Sequence, residues 1–153
     1  MAQSVCSSSR SDNSLLLARF TLLLEGLLPA NSHLEFDNES RTLILVSTQT
    51  PHILALQQFT KNEWTLLLLL LESYPYYVPN EVLLANLTLL SPADCRKRLH
   101  EAETRDPKAV KRELKPVHRA LHGIRAKLHK ICPQLRIALI RETGYVLSPS
   151  TIT

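Results

Sequence analysis

Residues 66–71 are six consecutive leucines, and no helix carrying such a run can keep one side in water. The run is about a third of the length that a membrane span needs. A helix that is apolar all round belongs inside a protein, enclosed by other elements. Its start is marked by Thr60-Lys61-Asn62-Glu63. In such a capping box the Thr hydroxyl and the Glu carboxylate satisfy free backbone N–H groups at a helix N-terminus. The spacing predicts a helix over 64–73 at the centre of the core. With 153 residues, 44% of them apolar, the chain is long enough for one compact domain and too short to expect two.

The enclosing elements are legible on both sides. Upstream, His33-Leu34-Glu35-Phe36 and Thr42-Leu43-Ile44-Leu45-Val46 flank the turn-forming Asp37-Asn38-Glu39-Ser40, which predicts a hairpin, and Ile53-Leu54-Ala55-Leu56 reads as a third strand. Residues 1–13 are Ser-rich and read as a disordered leader. Residues 14–28 read as a leucine-rich helix for packing or dimerisation; Arg19 and Glu25 interrupt it as a signal peptide. Downstream, Val78-Pro79-Asn80-Glu81 opens a second helix with Val82, Leu83, Leu84 and Leu87 as its apolar stripe. Ser91-Pro92-Ala93-Asp94 opens a third, strongly charged helix to about Thr104.

Charge is divided unevenly along the chain. Residues 1–91 hold four Lys/Arg against eight Asp/Glu, and residues 92–141 hold fourteen against five. A block of that sign suits a polyanion such as nucleic acid, or an anionic membrane surface. Within it Val110, Leu114, Val117, Leu121, Ile124, Leu128 and Ile131 recur at intervals of four and three, one stripe of a helix. Lys108, Lys111, Lys115, Arg119, His122 and Arg125 fall on the other side. Pro116 clashes with the preceding turn of any continuous helix. The stripe therefore divides into a turn over 107–114 and a helix beginning near Pro116, or it kinks there.

Leu135, Ile137, Leu139 and Ile140, then Tyr145-Val146-Leu147, read as two strands around Arg141-Glu142-Thr143-Gly144, where Gly144 is expected to take a positive φ. Cys6, Cys95 and Cys132 are widely spaced and odd in number, which points to a reducing, cytoplasmic setting and no zinc or redox pair. His118 and His122 stand at i and i+4, but no third ligand follows, so they read as surface histidines beside phosphate rather than a metal site. Trp64 reads as core, and the tyrosines at 74, 76 and 77 as a turn. Without a glycine-rich phosphate loop, paired carboxylates or a nucleophile signature, neither an enzyme nor a cofactor is expected.

Four segments in this order resemble the DNA-binding domain of OmpR/PhoB-type response regulators. Phe59-Thr60-Lys61-Asn62-Glu63-Trp64 is similar to the start of that family's first helix, and Val78-Pro79-Asn80-Glu81-Val82-Leu83-Leu84 to the start of its second. Leu121-His122-Gly123-Ile124-Arg125-Ala126-Lys127-Leu128 resembles its recognition helix, and Ile140-Arg141-Glu142-Thr143-Gly144-Tyr145-Val146-Leu147 its wing. The resemblance covers residues 33–148. It implies an α+β winged helix-turn-helix with an N-terminal antiparallel sheet, three core helices and a C-terminal β-hairpin wing, followed by a tail at 149–153. It also implies a transcription regulator whose DNA contacts fall on Lys115, Arg119, His122 and Arg125, with Arg141 on the wing; Lys111 and Tyr145 complete the candidate set. The chain departs from the pattern at Gly123, where a long polar residue is usual, and at Glu142, which replaces a wing glycine. The connection over 88–114 is long, and in relatives this loop touches RNA polymerase. No receiver domain is expected ahead of the module. The alternative is a degenerate winged helix that keeps only protein contacts, to polymerase or another regulator, through residues 91–114.

Overall fold

A computed structural model describes residues 28–141 and 143–149. The leader, nearly all of the leucine-rich segment at 14–28, Glu142 and residues 150–153 lie outside the described residues. The chain is α+β. Strands β1 (Ser32–Asp37), β2 (Thr42–Ser47) and β3 (Ile53–Gln58) lead into helix α1 (Lys61–Ser73). A two-residue strand β4 (Val78–Pro79) precedes α2 (Asn80–Leu87), α3 (Pro92–Arg105), α4 (Pro107–Glu113) and α5 (Lys115–Ile131). Strands β5 (Leu135–Ile140) and β6 (Gly144–Pro149) follow. Among the described residues there are two antiparallel three-stranded sheets, ordered β1-β2-β3 and β4-β6-β5. Among the described residues no helix is long and apolar enough to cross a membrane.

The capping box forms as its residues dictate. The Glu63 N–H donates to Thr60 Oγ1 at 3.2 Å, and the Thr60 N–H donates to Glu63 Oε1 at 2.8 Å. Beyond it Leu66, Leu67, Leu70 and Leu71 are fully buried, while Leu68 and Leu69 are half-buried on the outer side of α1. Enclosure of the leucine run is therefore less complete than its composition implies. Trp64 is core, with ring centroids 5.9 Å from Phe36 and 5.8 Å from Phe59. Its indole N–H donates to Asn38 Oδ1 at 3.0 Å, which supplies the partner a buried indole needs. The inner face of the first sheet closes this core through Leu34, Leu43 and Leu45, and α5 closes it from the other side through Val117, Leu121, Ile124 and Leu128.

The second sheet hangs from a close backbone approach. Pro79 pairs with Gly144 and Val78 with Tyr145, and the Asn80 N–H donates to the Thr143 carbonyl at 2.9 Å. Gly144 does not take the positive φ expected of it; Arg141 does, at 45°. The reason for glycine at 144 is space. A Cβ there would lie 2.3 Å from the Val78 carbonyl oxygen and 2.9 Å from Pro79 Cα, both backbone atoms that a rotamer change cannot move.

Gly144→Ala should push β4 off β6 and cost about 1–3 kcal/mol, as overpacking does. Chemical denaturation of the variant checks this; an unchanged midpoint would show that the approach is looser than described.

Candidate nucleic-acid interface

The positive segment folds into three helices joined almost without loops. Asp106 ends α3, its N–H donating to the Ala102 carbonyl, and caps α4, its Oδ1 accepting from the Lys108 N–H at 3.1 Å. Leu114 alone separates α4 from α5, and Pro116 sits in the first turn of α5. There a missing N–H costs nothing, because first-turn donors have no intrahelical partner. Of the two sequence readings, the separate turn is what forms. The long connection over 88–114 is not an open loop: two helices occupy most of it.

Helix α5 divides by side as its periodicity dictates. Val117, Ala120, Leu121, Ile124, Leu128 and Ile131 are buried, while Lys115, His118, Arg119, His122 and Arg125 are exposed, as is Lys111 on α4. None of the ion pairs among the described residues involves any of these side chains. At about 100° per residue, Arg119 falls toward α1, His118 and Arg125 toward the β5–β6 hairpin, and Lys115 and His122 between them.

Two of the sequence candidates do other work. Arg125 is exposed, but its Nη2 donates to the Ile137 carbonyl at 2.9 Å and its guanidinium carbon stands 5.6 Å from the Tyr145 ring centroid. Tyr145 itself is only 6% exposed, so its ring supports the site from beneath and is not presented to solvent. Together they fasten the hairpin to α5. At the hairpin's tip, the Thr143 N–H donates to the Ile140 carbonyl at 2.8 Å, which leaves Arg141 exposed at the bend. Burial, with the Arg125 and Lys111 cations nearby, holds the His118 imidazole below its ordinary range. Among the described residues no three His, Cys, Asp or Glu side chains could jointly hold a metal ion.

Open clefts run on both sides of the α4–α5 ridge. The larger, about 1020 Å³, lies between the hairpin and α3 and is lined by Arg96, His100, Lys111, His118 and Arg141, with Glu81 and Glu103 as its acids. Arg96 Nε stands 3.4 Å from Glu81 Oε1. The smaller, about 510 Å³, lies against the start of α1 and is lined by Arg112, Lys115 and Arg119. Arg112 was not among the sequence candidates, although its spacing of three and seven from Lys115 and Arg119 marks it. Arg96 carried no such signal, because α3 reaches the site only through the fold.

The α1 side of the ridge is pinned by a carboxylate. Glu63, beyond its capping role, accepts from Lys127 Nζ at 2.5 Å and occupies the space beside Gly123. A Cβ on Gly123 would stand 1.8 Å from Glu63 Oε2. Gly123 is thus the socket for the capping carboxylate. Burial pulls the Glu63 carboxyl upward, but the Lys127 and Thr60 hydrogen bonds pull harder and leave it below its ordinary 4.5. No family model, no curated protein and no solved structure was found to match the chain.

Lys127→Met should cost about 1–3 kcal/mol at pH 7, since it removes a charged hydrogen bond and leaves the buried Glu63 carboxylate without its counter-ion. A carboxyl held low when folded contributes stability above its unfolded pKa and loses it as pH falls through the folded one. The deficit of Lys127→Met should therefore shrink below about pH 4.5. Urea titrations of both proteins at pH 7 and pH 4 test this; an equal deficit at both would assign Lys127 to packing alone.

Proposed function

We propose that the chain binds double-stranded DNA through the exposed side of α5 and the β5–β6 hairpin, as a winged helix-turn-helix of the OmpR/PhoB type acting in transcription regulation. The observation that carries this reading is the ridge itself. Lys115, Arg119 and His122 stand in solvent, outside every ion pair among the described residues, on a helix whose other side is locked into the core. A helix with side chains of about 10–12 Å diameter fits a major groove of about 12 Å. Long cationic side chains there reach base edges and phosphates. On this reading α1, α2 and α5 are the three core helices and β5–β6 is the wing, with Arg141 at the neighbouring minor groove. Arg125, tied to Ile137 and Tyr145, sets the angle of the wing.

A second reading has its own observation. Leu89, in the connection before α3, is fully exposed, and Lys97, Arg98, Glu101 and Arg105 stand on exposed positions of α3. Such a surface suits a protein partner, of which RNA polymerase is the one the resemblance implies. On that reading DNA binding is weak, insensitive to sequence and lost near physiological salt.

Arg119→Ala should weaken binding to a selected duplex by about 1–3 kcal/mol if Arg119 reads a base, whereas Lys115→Ala should weaken all duplexes alike and flatten the salt dependence. Fluorescence anisotropy with selected and scrambled duplexes at two salt concentrations separates these outcomes. No duplex binding by the intact protein would end the proposal. A second expectation concerns His118. A phosphate beside an imidazole held low by burial and cations favours its protonated form, so binding takes up a proton and affinity rises as pH falls through the bound-state pKa. Affinities of intact protein and His118→Asn between pH 5.5 and 8 should diverge on the acid side; parallel curves would place His118 away from the phosphates.

A further inference from the structure

We infer that the inserted helix α4 is a two-pronged phosphate clamp belonging to the nucleic-acid interface, rather than a surface for a polymerase partner; this rests on the duplex-binding reading above. Lys111 and Arg112 are consecutive in sequence, yet they line opposite clefts. Lys111 stands in the hairpin-side cleft with His118 and Arg141, and Arg112 in the α1-side cleft with Lys115 and Arg119. Both side chains are exposed and outside every ion pair among the described residues.

The geometry follows from Pro116. It ends α4 at Leu114 but lets α5 start one residue later, so Lys111 and Arg112 stay close to the helical phase of the ridge. Lys111 sits seven residues before His118, and Arg112 seven before Arg119, two turns along the same two flanks. Of the acids in the clefts, Glu81 has Arg96 beside it and Glu63 has Lys127; Glu103 on α3 is in no ion pair among the described residues, so the hairpin-side cleft sets Arg96, Lys111 and Arg141 against two carboxylates. A helix seated in a major groove has one phosphate backbone on each flank. Two cationic clefts flanking one ridge therefore match the two strands of a duplex. A single strand offers one row of phosphates and can fill only one cleft.

The test uses the full chain, a selected duplex of about twenty base pairs, and phosphate-ethylation interference read separately on each strand. Lys111→Gln should lose interference on one strand across the groove and Arg112→Gln on the other. Each should lower the slope of log K against log salt by about 0.9, the share of one phosphate on duplex DNA. Arg112→Lys should keep its strand's contact, which separates a lost charge from a disturbed fold; thermal unfolding confirms that each variant is intact. If the intact protein binds but both variants lose the same strand, or neither loses any, the clamp is overturned while the duplex reading stands. If the intact protein binds no duplex, that reading itself fails and the clamp with it. Equal affinity for the duplex and its isolated strand would also overturn the clamp.

Discussion

Helix α5 can hold its cations in solvent because its aliphatic side is gripped from beneath by the leucines of α1. Each α1 leucine that faces α5 is enclosed, and Val117, Leu121 and Ile124 are between 0 and 1% exposed. Burial of that order contributes about 1.5–3 kcal/mol per side chain, far more than an exposed ion pair, which contributes about 0–1 kcal/mol. The orientation of α5 is therefore decided by its apolar stripe, and the charges follow. At the α1 end of this contact a polar pin sets the register. The Glu63 carboxylate, held by Thr60 and Lys127, fills the gap that Gly123 leaves. The residue that begins the central helix thus also fixes the rotation of the helix that carries the positive side.

Much of this order was legible along the chain because it is local. The capping box, the alternation of β1 and the apolar run of β2, and the stripe of α5 depend on neighbours within about four residues, and local pattern reads those directly. What escaped is long-range. Gly144 reads as a turn glycine because glycines commonly are, yet its role is set by Val78 and Pro79, which meet it only after β4 pairs with β6. Gly123 reads only as a departure where a long polar residue is usual, because nothing near it names Glu63. Tyr145 reads as a wing residue open to DNA, but strand alternation in β6 turns its side chain toward the core. Arg125 lies on the side that periodicity assigns to it, and only the folded hairpin brings the Ile137 carbonyl within reach.

Among the described residues, no acid of the first half pairs with Lys111, Arg112, Lys115, Arg119 or Arg141. Of that half's carboxylates, Glu63 is turned inward to Lys127 and Glu35 pairs with His33 along the exposed side of β1. Asp37 is spent on its own turn, where the Ser40 hydroxyl holds its carboxyl low. Glu81 reaches the hairpin-side cleft, and Arg96 meets it there. Charge separation along the sequence thus carries over to the ridge, whose Lys111, Arg112, Lys115 and Arg119 lie outside every ion pair among the described residues.

The hairpin shows why a site on this scaffold can be rigid although its tip is a short bend. Two independent ties locate it: the ladder of β4 with β6, which the Asn80 N–H on the Thr143 carbonyl extends by one step, and Arg125 on the Ile137 carbonyl and Tyr145 ring. One comes from β4 and the start of α2, the other from α5. A hairpin joined to its domain by β5 alone could pivot about the Cys132 end of α5; with both ties it cannot rotate without breaking a backbone hydrogen bond. The strands that carry Arg141 are then held against α5, the helix that carries Arg119 and Lys115. A fixed distance between two cationic elements is what a rigid, regularly spaced polyanion rewards, because neither element has to be ordered again when it binds.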